Sequence, residues 1–477
     1  VACVVPYLGF WAYGLFDLDE GFYAAVVSEM IRRGEWVTPF YNGQPWFEKP
    51  ILAYWIAIPS VAVFGEWVGP RLPAVVSTLA TAWVLARWAS RWFGEPESWA
   101  TALIYSGSIL VAGVGRLMMT DPLLVLFLTL ALTCFFDACA KPEGGVRLRL
   151  WAALFVGLAV LAKGPVAAVL FLGSVAAFAV ASPGWGRRVW AGSDQGGWAQ
   201  ALLGNGGWVL GLLTALGTMA VWYVPCFLAN GKDFVDEFLI RQNLGRFSGG
   251  DRAHGAPWWA HPIYYPAVLL AAFAPGWWVG RRPFDAPPTS SESVLAAWRF
   301  ALVSALVPVA LFTLSGTKLP HYVLPSAPWV AVVLGVAASK DRARFPARLR
   351  GLLAWSVVLW AVAQAVFTWD WRHRMAEVQS LAIVARARSE GLVLYRIGAG
   401  SREPGIGLGL QDTSHPSVLF YYGRSLLMTD DPTELARTGR PFLILTRRRV
   451  ESNPDVTALG PIEVLGGEKY RLLRVGP

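Results

Sequence analysis

Apolar stretches long enough to cross a bilayer recur along this chain as far as residue 371, and no other sequence feature restricts the fold as much. A bilayer core takes ~20 residues of helix to cross. Lipid offers no partner to a free backbone N–H or C=O, so each stretch that crosses must be helical. The apolar runs are 1–16, 70–93, 98–115, 120–140, 150–163, 165–182, 202–229, 258–280, 296–315, 319–338 and 351–370, about eleven crossings by that length criterion. Only 15% of the 477 residues are charged, against about 25% in a soluble domain. The expected fold is therefore a polytopic α-helical membrane protein, and the net charge of +9 needs no nucleic acid to explain it.

The loops sort by charge into two sets. One carries Arg87, Arg91, Lys141, Arg147, Arg149, Arg187, Arg188, Arg281, Arg282, Lys340, Arg342, Arg344, Arg348 and Arg350, which makes it the cytoplasmic set by the positive-inside rule. The other carries Asp17, Asp19, Glu20, Glu48, Lys49, Arg116, Asp121, Lys163, Arg246, His254 and Lys318. Every short motif with chemical potential lies in that second, outer set, away from ATP and nucleotide sugars.

The first run, 1–16, is short for a crossing, and the expectation is that residues preceding Val1 complete it. An outer loop, 17–69, holds an amphipathic stretch from Tyr23 to Arg33 with Ala24, Val27, Met30 and Ile31 on one face, suited to a helix in the interface. Ile51 to Phe64 is too short to cross and reads as an interfacial or re-entrant helix. Tight outer turns fall at Lys163-Gly164-Pro165 and Gly316-Thr317-Lys318, and 230–257 forms a larger outer loop. Beyond Trp371 the composition turns polar. Residues 372–477 read as a small extracytoplasmic α/β domain, with strands at Val393–Ile397, Ser417–Tyr422, Phe442–Thr446 and Tyr470–Val475 and a helix at Pro432–Arg437. The domain division is thus 1–371 and 372–477. Cys3, Cys134, Cys139 and Cys226 lie in apolar context without a C-x-x-C pair and read as buried thiols. No G-x-x-x-x-G-K-[ST] loop supports a nucleotide.

Asp17-Leu18-Asp19-Glu20 places three carboxylates where the chain leaves the first run. Such a group supplies a general base or holds a divalent cation; the plainer reading is a helix start, where acids are favoured. Glu48-Lys49 sits among Trp46, Phe47 and a following apolar helix. The lysine is placed either to hold a lipid phosphate or to snorkel at the interface. Asp121-Pro122 is a good helix start. Lys163 ends an apolar run with almost no loop to carry it into water. Asn243, Arg246 and His254 lie in the 230–257 loop, and Lys318 and Tyr322 begin a late crossing. Arginine suits phosphate, whereas a lone histidine is more often structural.

In this order the pieces resemble one family, the GT-C membrane glycosyltransferases that use polyprenyl-phosphate sugars. It includes the ArnT-like aminoarabinose transferases and the protein O-mannosyltransferases. The resemblance runs through Asp19-Glu20-x-x-Tyr23-Ala24, Gly34-Glu35-Trp36-Val37-x-Pro39, Phe47-Glu48-Lys49-Pro50, Asp121-Pro122 and Leu161-Ala162-Lys163-Gly164. It continues with Asn243-x-x-Arg246-Phe247, Pro257-Trp258, Lys318-Leu319-Pro320-x-Tyr322 and Ser417 to Arg424. It implies a GT-C fold with Asp19, Glu20 and Asp121 as catalytic carboxylates. Lys49, Arg246 and Tyr322 would grip the donor phosphate, and Lys163, Lys318 and Asn243 would support the cavity. Glu48 and His254 are the candidates for a divalent metal ion. The chain departs at Phe22, where aminoarabinose transferases carry Arg, and at Asn243, where some relatives carry His.

The expected function is an inverting glycosyltransferase at the outer face of the inner membrane. Its partners would be a polyprenyl-phosphate sugar donor and an acceptor that is lipid A, a glycolipid, a cell-wall glycan or a protein, with no nucleic acid. A flippase or transporter would instead place ionisable residues at mid-span, often on paired repeats. A non-catalytic scaffold or assembly subunit would leave the outer acidic and basic set unexplained.

Overall fold

The computed structural model describes residues 2–17, 19–140, 145–185, 207–248, 258–280, 283–395, 415–429, 433–448 and 454–476. Seven helices among them are long and apolar enough to cross a membrane, so the chain is a multi-pass membrane protein: Leu72–Trp92, Asp121–Ala140, Gly145–Lys163, Val209–Gly245, Glu292–Leu314, Pro320–Ser339 and Phe345–Arg374. Val166–Ala181 and Leu52–Val68 are shorter apolar helices.

Other expected crossings are interrupted, and the interruptions have local causes. Residues 98–115 divide into helices Glu95–Ser106 and Ile109–Val114 around Gly107-Ser108. Residues 258–280 divide into His261–Ala272 and Ala274–Val279, where Pro275 cannot continue the helix before it. Pro320 and Pro325 hold the start of 319–338 in a 3-10 turn, Pro320–Ser326. The opening run 1–16 is not a spanning helix in its described part, which has one 3-10 turn, Val5–Tyr7, with Pro6 and Gly9 breaking the pattern. The 230–257 loop is largely helical as far as residue 248, with a π-helical stretch at Val235–Gly245.

Contacts group the chain into two compact units. The first comprises residues 1–8, 47–53 and 73–363. Its core is a continuous apolar cluster in which Trp88, Phe136, Phe300 and Trp329 pack edge to face. Gly335 brings helix Ala327–Ser339 against Glu95–Ser106 so closely that a Cβ there would lie 2.8 Å from the Thr101 backbone nitrogen. Helices Asp121–Ala140 and Gly145–Lys163 form an antiparallel hairpin, with Gly207–Phe234 against the second of them.

The second unit comprises residues 9–46, 54–72 and 364–477. A five-stranded sheet lies within it: β1 (Gly391–Tyr395), β2 (Leu427–Thr429), β3 (Phe442–Arg447), β4 (Ile462–Gly466) and β5 (Tyr470–Val475), in the order β2-β1-β3-β5-β4. β1 runs parallel to β2 and β3, and β5 runs antiparallel to β3 and β4. Ser417–Tyr422, expected as a strand, is instead part of helix Pro416–Tyr422. Its aromatic and β-branched run suits a strand, but Pro416 at the helix start and Gly423 beyond its end, at φ 72°, are helix boundary signals. The interfacial helix begins earlier than expected, at Asp19, and is packed in protein, with Ala24, Val27 and Met30 buried and Ile31 turned outward. It lies against Pro416–Tyr422.

Candidate functional site

In the first unit a pocket of about 120 Å³ is lined by Glu48, Lys49, Asp121, Lys163, Asn243 and Tyr322, all singled out by sequence, and by Gln242 and Ser315, which were not. Each reaches it for a local reason. Asp121 opens its helix, where the N-terminal dipole favours a carboxylate. Lys163 closes the partner helix of the hairpin. The next residue, Gly164, has φ 99°, and a Cβ on it would lie 3.2 Å from Asn243 Oδ1, so the turn and the approach of Asn243 both require glycine. Tyr322 projects from the 3-10 turn set by Pro320 and Pro325, with its ring 5.3 Å from that of Phe312.

The charges are arranged as two adjacent ion pairs. Lys163 Nζ donates to Asp121 Oδ1 and stands 5.4 Å from the centre of the Tyr322 ring. Lys49 Nζ lies 2.9 Å from Glu48 Oε1, with both side chains about one-eighth exposed. Asn243 donates to Phe238 O at 2.6 Å, and Gln242 donates to Glu237 Oε1 at 2.7 Å, which fixes both amides from the π-helical stretch. Lys318 donates to three carbonyls at the end of helix Glu292–Leu314, those of Phe312, Thr313 and Ser315, and so ties down the turn that carries Ser315. Arg116 is buried and donates to Pro6 O and Leu8 O. His254 and the side chain of Arg246 lie outside the described residues. Among the described residues no group of three His, Cys, Asp or Glu side chains is placed to hold a metal ion.

The three acids of the first outer loop lie in the second unit, and their environments differ. Asp17 accepts from the Ser417 backbone N–H at 2.9 Å and meets His415 Nδ1 at 2.9 Å. Glu20 is buried and gripped by Arg71 through two bonds of 2.6 and 2.7 Å. Asp19, half-buried in the first helical turn, has no hydrogen-bond or ion-pair partner among the described residues. Sequence reasoning did not reach Arg71. Its signal is a lone charge between Val68 and Leu72, at the junction of two apolar helices. His415 stands beside an unremarkable proline and offers no such signal.

Comparison with known proteins gives these arrangements a context. Residues 48–204 match the family model described as dolichyl-phosphate-mannose-protein mannosyltransferase. The undecaprenyl phosphate-α-4-amino-4-deoxy-L-arabinose arabinosyl transferase of Shewanella sediminis is 30% identical over 357 residues, 72% of this chain and 61% of that protein. The transferase of the same name from Pseudomonas aeruginosa is 32% identical over 331 residues, 68% of this chain and 56% of that protein. The chain thus spans about three-fifths of the length of these relatives. The crystal structure of ArnT from Cupriavidus metallidurans bound to undecaprenyl phosphate superposes with a TM-score of 0.78 at 19% identity, covering 100% of this chain and 98% of that one. The archaeal oligosaccharyltransferase AglB from Archaeoglobus fulgidus gives 0.51 at 11% identity, covering 90% and 63%. The overall fold is that of these proteins.

Proposed function

We propose that this chain is a member of the GT-C family of polyprenyl-phosphate-sugar-dependent membrane glycosyltransferases and moves a sugar from a polyprenyl-phosphate donor to an acceptor with inversion at the anomeric carbon. The observation that carries the reading is the pocket in which Lys49, Lys163 and Tyr322 converge. The donor phosphate seats there. Each lysine is already balanced by a carboxylate, so the pocket presents donors without a large net positive charge. Arg246, in the same chain segment as Asn243 and Phe247, supplies the further cation. As the anomeric C–O bond breaks, the lipid phosphate leaves with the electron pair. Charge-assisted bonds from the lysines stabilise it. The acceptor hydroxyl attacks from the opposite face and its proton passes to Asp19, the one acid of its group free of a partner among the described residues.

Asp121 holds Lys163 in place, while Lys318 and Asn243 hold the walls of the pocket. For a divalent cation the sequence offers Glu48 and His254. Glu48 is engaged by Lys49, and the donor set among the described residues fits a phosphate better than a metal. The acceptor is lipid A, another glycolipid, a cell-wall glycan or a protein. The pocket and the C-terminal sheet face the outside of the inner membrane, on the strength of the basic loops assigned to the cytoplasm.

Mass spectrometry of lipid-phosphate sugars, glycolipids and glycoproteins from cells with and without the protein tests the reading. Loss of one glycan together with accumulation of its lipid-phosphate sugar is expected; no change in either class refutes it. In a cysteine-free background, a Cys at Ser425 should label from outside and a Cys at Ser193 should not. The reverse pattern would overturn the orientation.

A further inference from the structure

All five N–H donors of Arg71 are used, and every acceptor lies within residues 10–20, the segment that contains Asp19. The guanidinium is fully buried. Nη1 donates to Phe10 O at 3.0 Å and to Tyr13 O at 2.7 Å, and Nη2 donates to Gly14 O at 2.7 Å. Nε and Nη2 grip the two oxygens of Glu20 at 2.6 and 2.7 Å. The Tyr13 ring lies 4.5 Å from the guanidinium carbon. Glu20 Oε2 accepts a further bond from the Phe16 N–H at 2.8 Å, and the Gly21 N–H closes the turn onto Phe16 O at 3.0 Å. From the other side of the same segment, the Leu15 carbonyl and N–H are taken by Gln379 and Tyr421, and Asp17 is held by His415 and Ser417.

Both oxygens of Glu20 are therefore committed to buried donors, and its charge is matched by a guanidinium that does not release its proton under ordinary conditions. A carboxylate so placed is used by the fold as a hydrogen-bond acceptor. Its neighbour Asp19 stands in the first turn of the same helix with no such partner among the described residues. A planar fork that bonds a carboxylate and three carbonyls at once fixes direction as well as distance, which an ammonium does not.

We infer that Arg71 is a positioning residue for the transfer reaction, and that Glu20 is its anchor rather than a second general base. The inference rests on the reading that Asp19 takes the acceptor's proton. Arg71 acts through the turn it organises: with the turn fixed, Asp19 holds one orientation, and with it loosened, the carboxylate samples several. Misplacement by about an ångström costs on the order of 10²-fold in rate.

The test uses the full chain in lipid nanodiscs, with undecaprenyl-phosphate-linked 4-amino-4-deoxyarabinose as donor and lipid A as acceptor. Donor affinity is read separately with undecaprenyl phosphate, and hydrogen–deuterium exchange is read over residues 10–20. Arg71→Lys should lower kcat by roughly 10- to 100-fold, leave the affinity for undecaprenyl phosphate within about threefold, and speed exchange in 10–20 alone. Glu20→Gln, which retains one acceptor for the fork, should keep turnover at least tenfold above Asp19→Asn and leave the acid limb of the rate–pH profile where it stands in the wild type. Arg71→Lys with wild-type turnover or unchanged exchange overturns the inference. So does Glu20→Gln as inactive as Asp19→Asn with exchange unchanged, because Glu20 would then handle the proton. Should the wild type turn over none of this donor, that donor–acceptor pair is excluded for the chain, and exchange in Arg71→Lys still decides whether the clamp holds the turn.

Discussion

Replacing Lys163 with methionine isolates the energetic role of the pocket's inner ion pair. Asp121 is 2% exposed and the Lys163 side chain 13%. Methionine keeps most of the apolar stem, so lost packing contributes little, and the main effect is a buried carboxylate stripped of its counter-ion. Breaking a buried pair from one side costs about 3–5 kcal/mol. The helix N-terminus beneath Asp121 returns about 0.3–1 kcal/mol of this, leaving a destabilisation of roughly 2–5 kcal/mol by that subtraction. The double variant Asp121→Asn/Lys163→Met removes both charges and should fall within about 1 kcal/mol of the wild type, since a neutral replacement of a buried pair is often close to neutral. Thermal unfolding of the two single variants and the double variant in one detergent gives the coupling energy directly. Undecaprenyl phosphate adds a second reading. At a hundredfold excess over its Kd it should stabilise the wild type by about 2.7 kcal/mol, and Lys163→Met by much less. A single variant as stable as the wild type, or a double variant no better than the single, would refute the idea that Asp121 depends on Lys163.

Lys49→Ala should weaken binding of undecaprenyl phosphate in titrations by one to two orders of magnitude, about the ~1.5–3 kcal/mol of a charged hydrogen bond, whereas Lys340→Ala, at the opposite set of loops, should leave it unchanged. Asp19→Asn should fold and bind undecaprenyl phosphate as the wild type does while losing about 10²–10⁴-fold in turnover; turnover close to wild type would remove Asp19 from the chemistry. In the sheet, the hydrogen bond from Arg474, 2.9 Å from Glu390, draws the Glu390 carboxyl below its ordinary value of 4.5. A lowered folded value gives stability that is complete above the unfolded value and is lost as pH falls through the folded one. Urea unfolding should therefore show a wild-type advantage over Arg474→Gln at pH 6 that shrinks at pH 3.5, and an equal advantage at both would contradict the linkage.

What could be read from the sequence divides by the range of the interaction that decides it. Spans such as Asp121–Ala140 and Glu292–Leu314 announce themselves because lipid imposes one requirement on every residue of the run. Lys49, Asp121, Lys163 and Tyr322 were legible because each is polar at the end of an apolar run, where a charge costs too much to be idle. Breaks within runs were harder, because Gly107-Ser108 and Pro275 each look tolerable in a membrane helix until neighbouring packing decides. Ser417–Tyr422 misled because aromatic and β-branched content outweighed two boundary residues that specify a helix. The partners of the Asp17–Glu20 group were the least legible. Arg71 lies 51 residues from Glu20, and His415 lies 398 from Asp17. No local pattern marks a contact of that separation; only the folded chain brings the two ends together. The three acids look equivalent in sequence, and what separates them is who holds each one: Asp17 by His415 and Ser417, Glu20 by Arg71, and Asp19 by no described residue. Within such a cluster chemical capacity follows from what the scaffold leaves unengaged, which is why the choice of Asp19 as the proton acceptor rests on Arg71, a residue that need not touch either substrate.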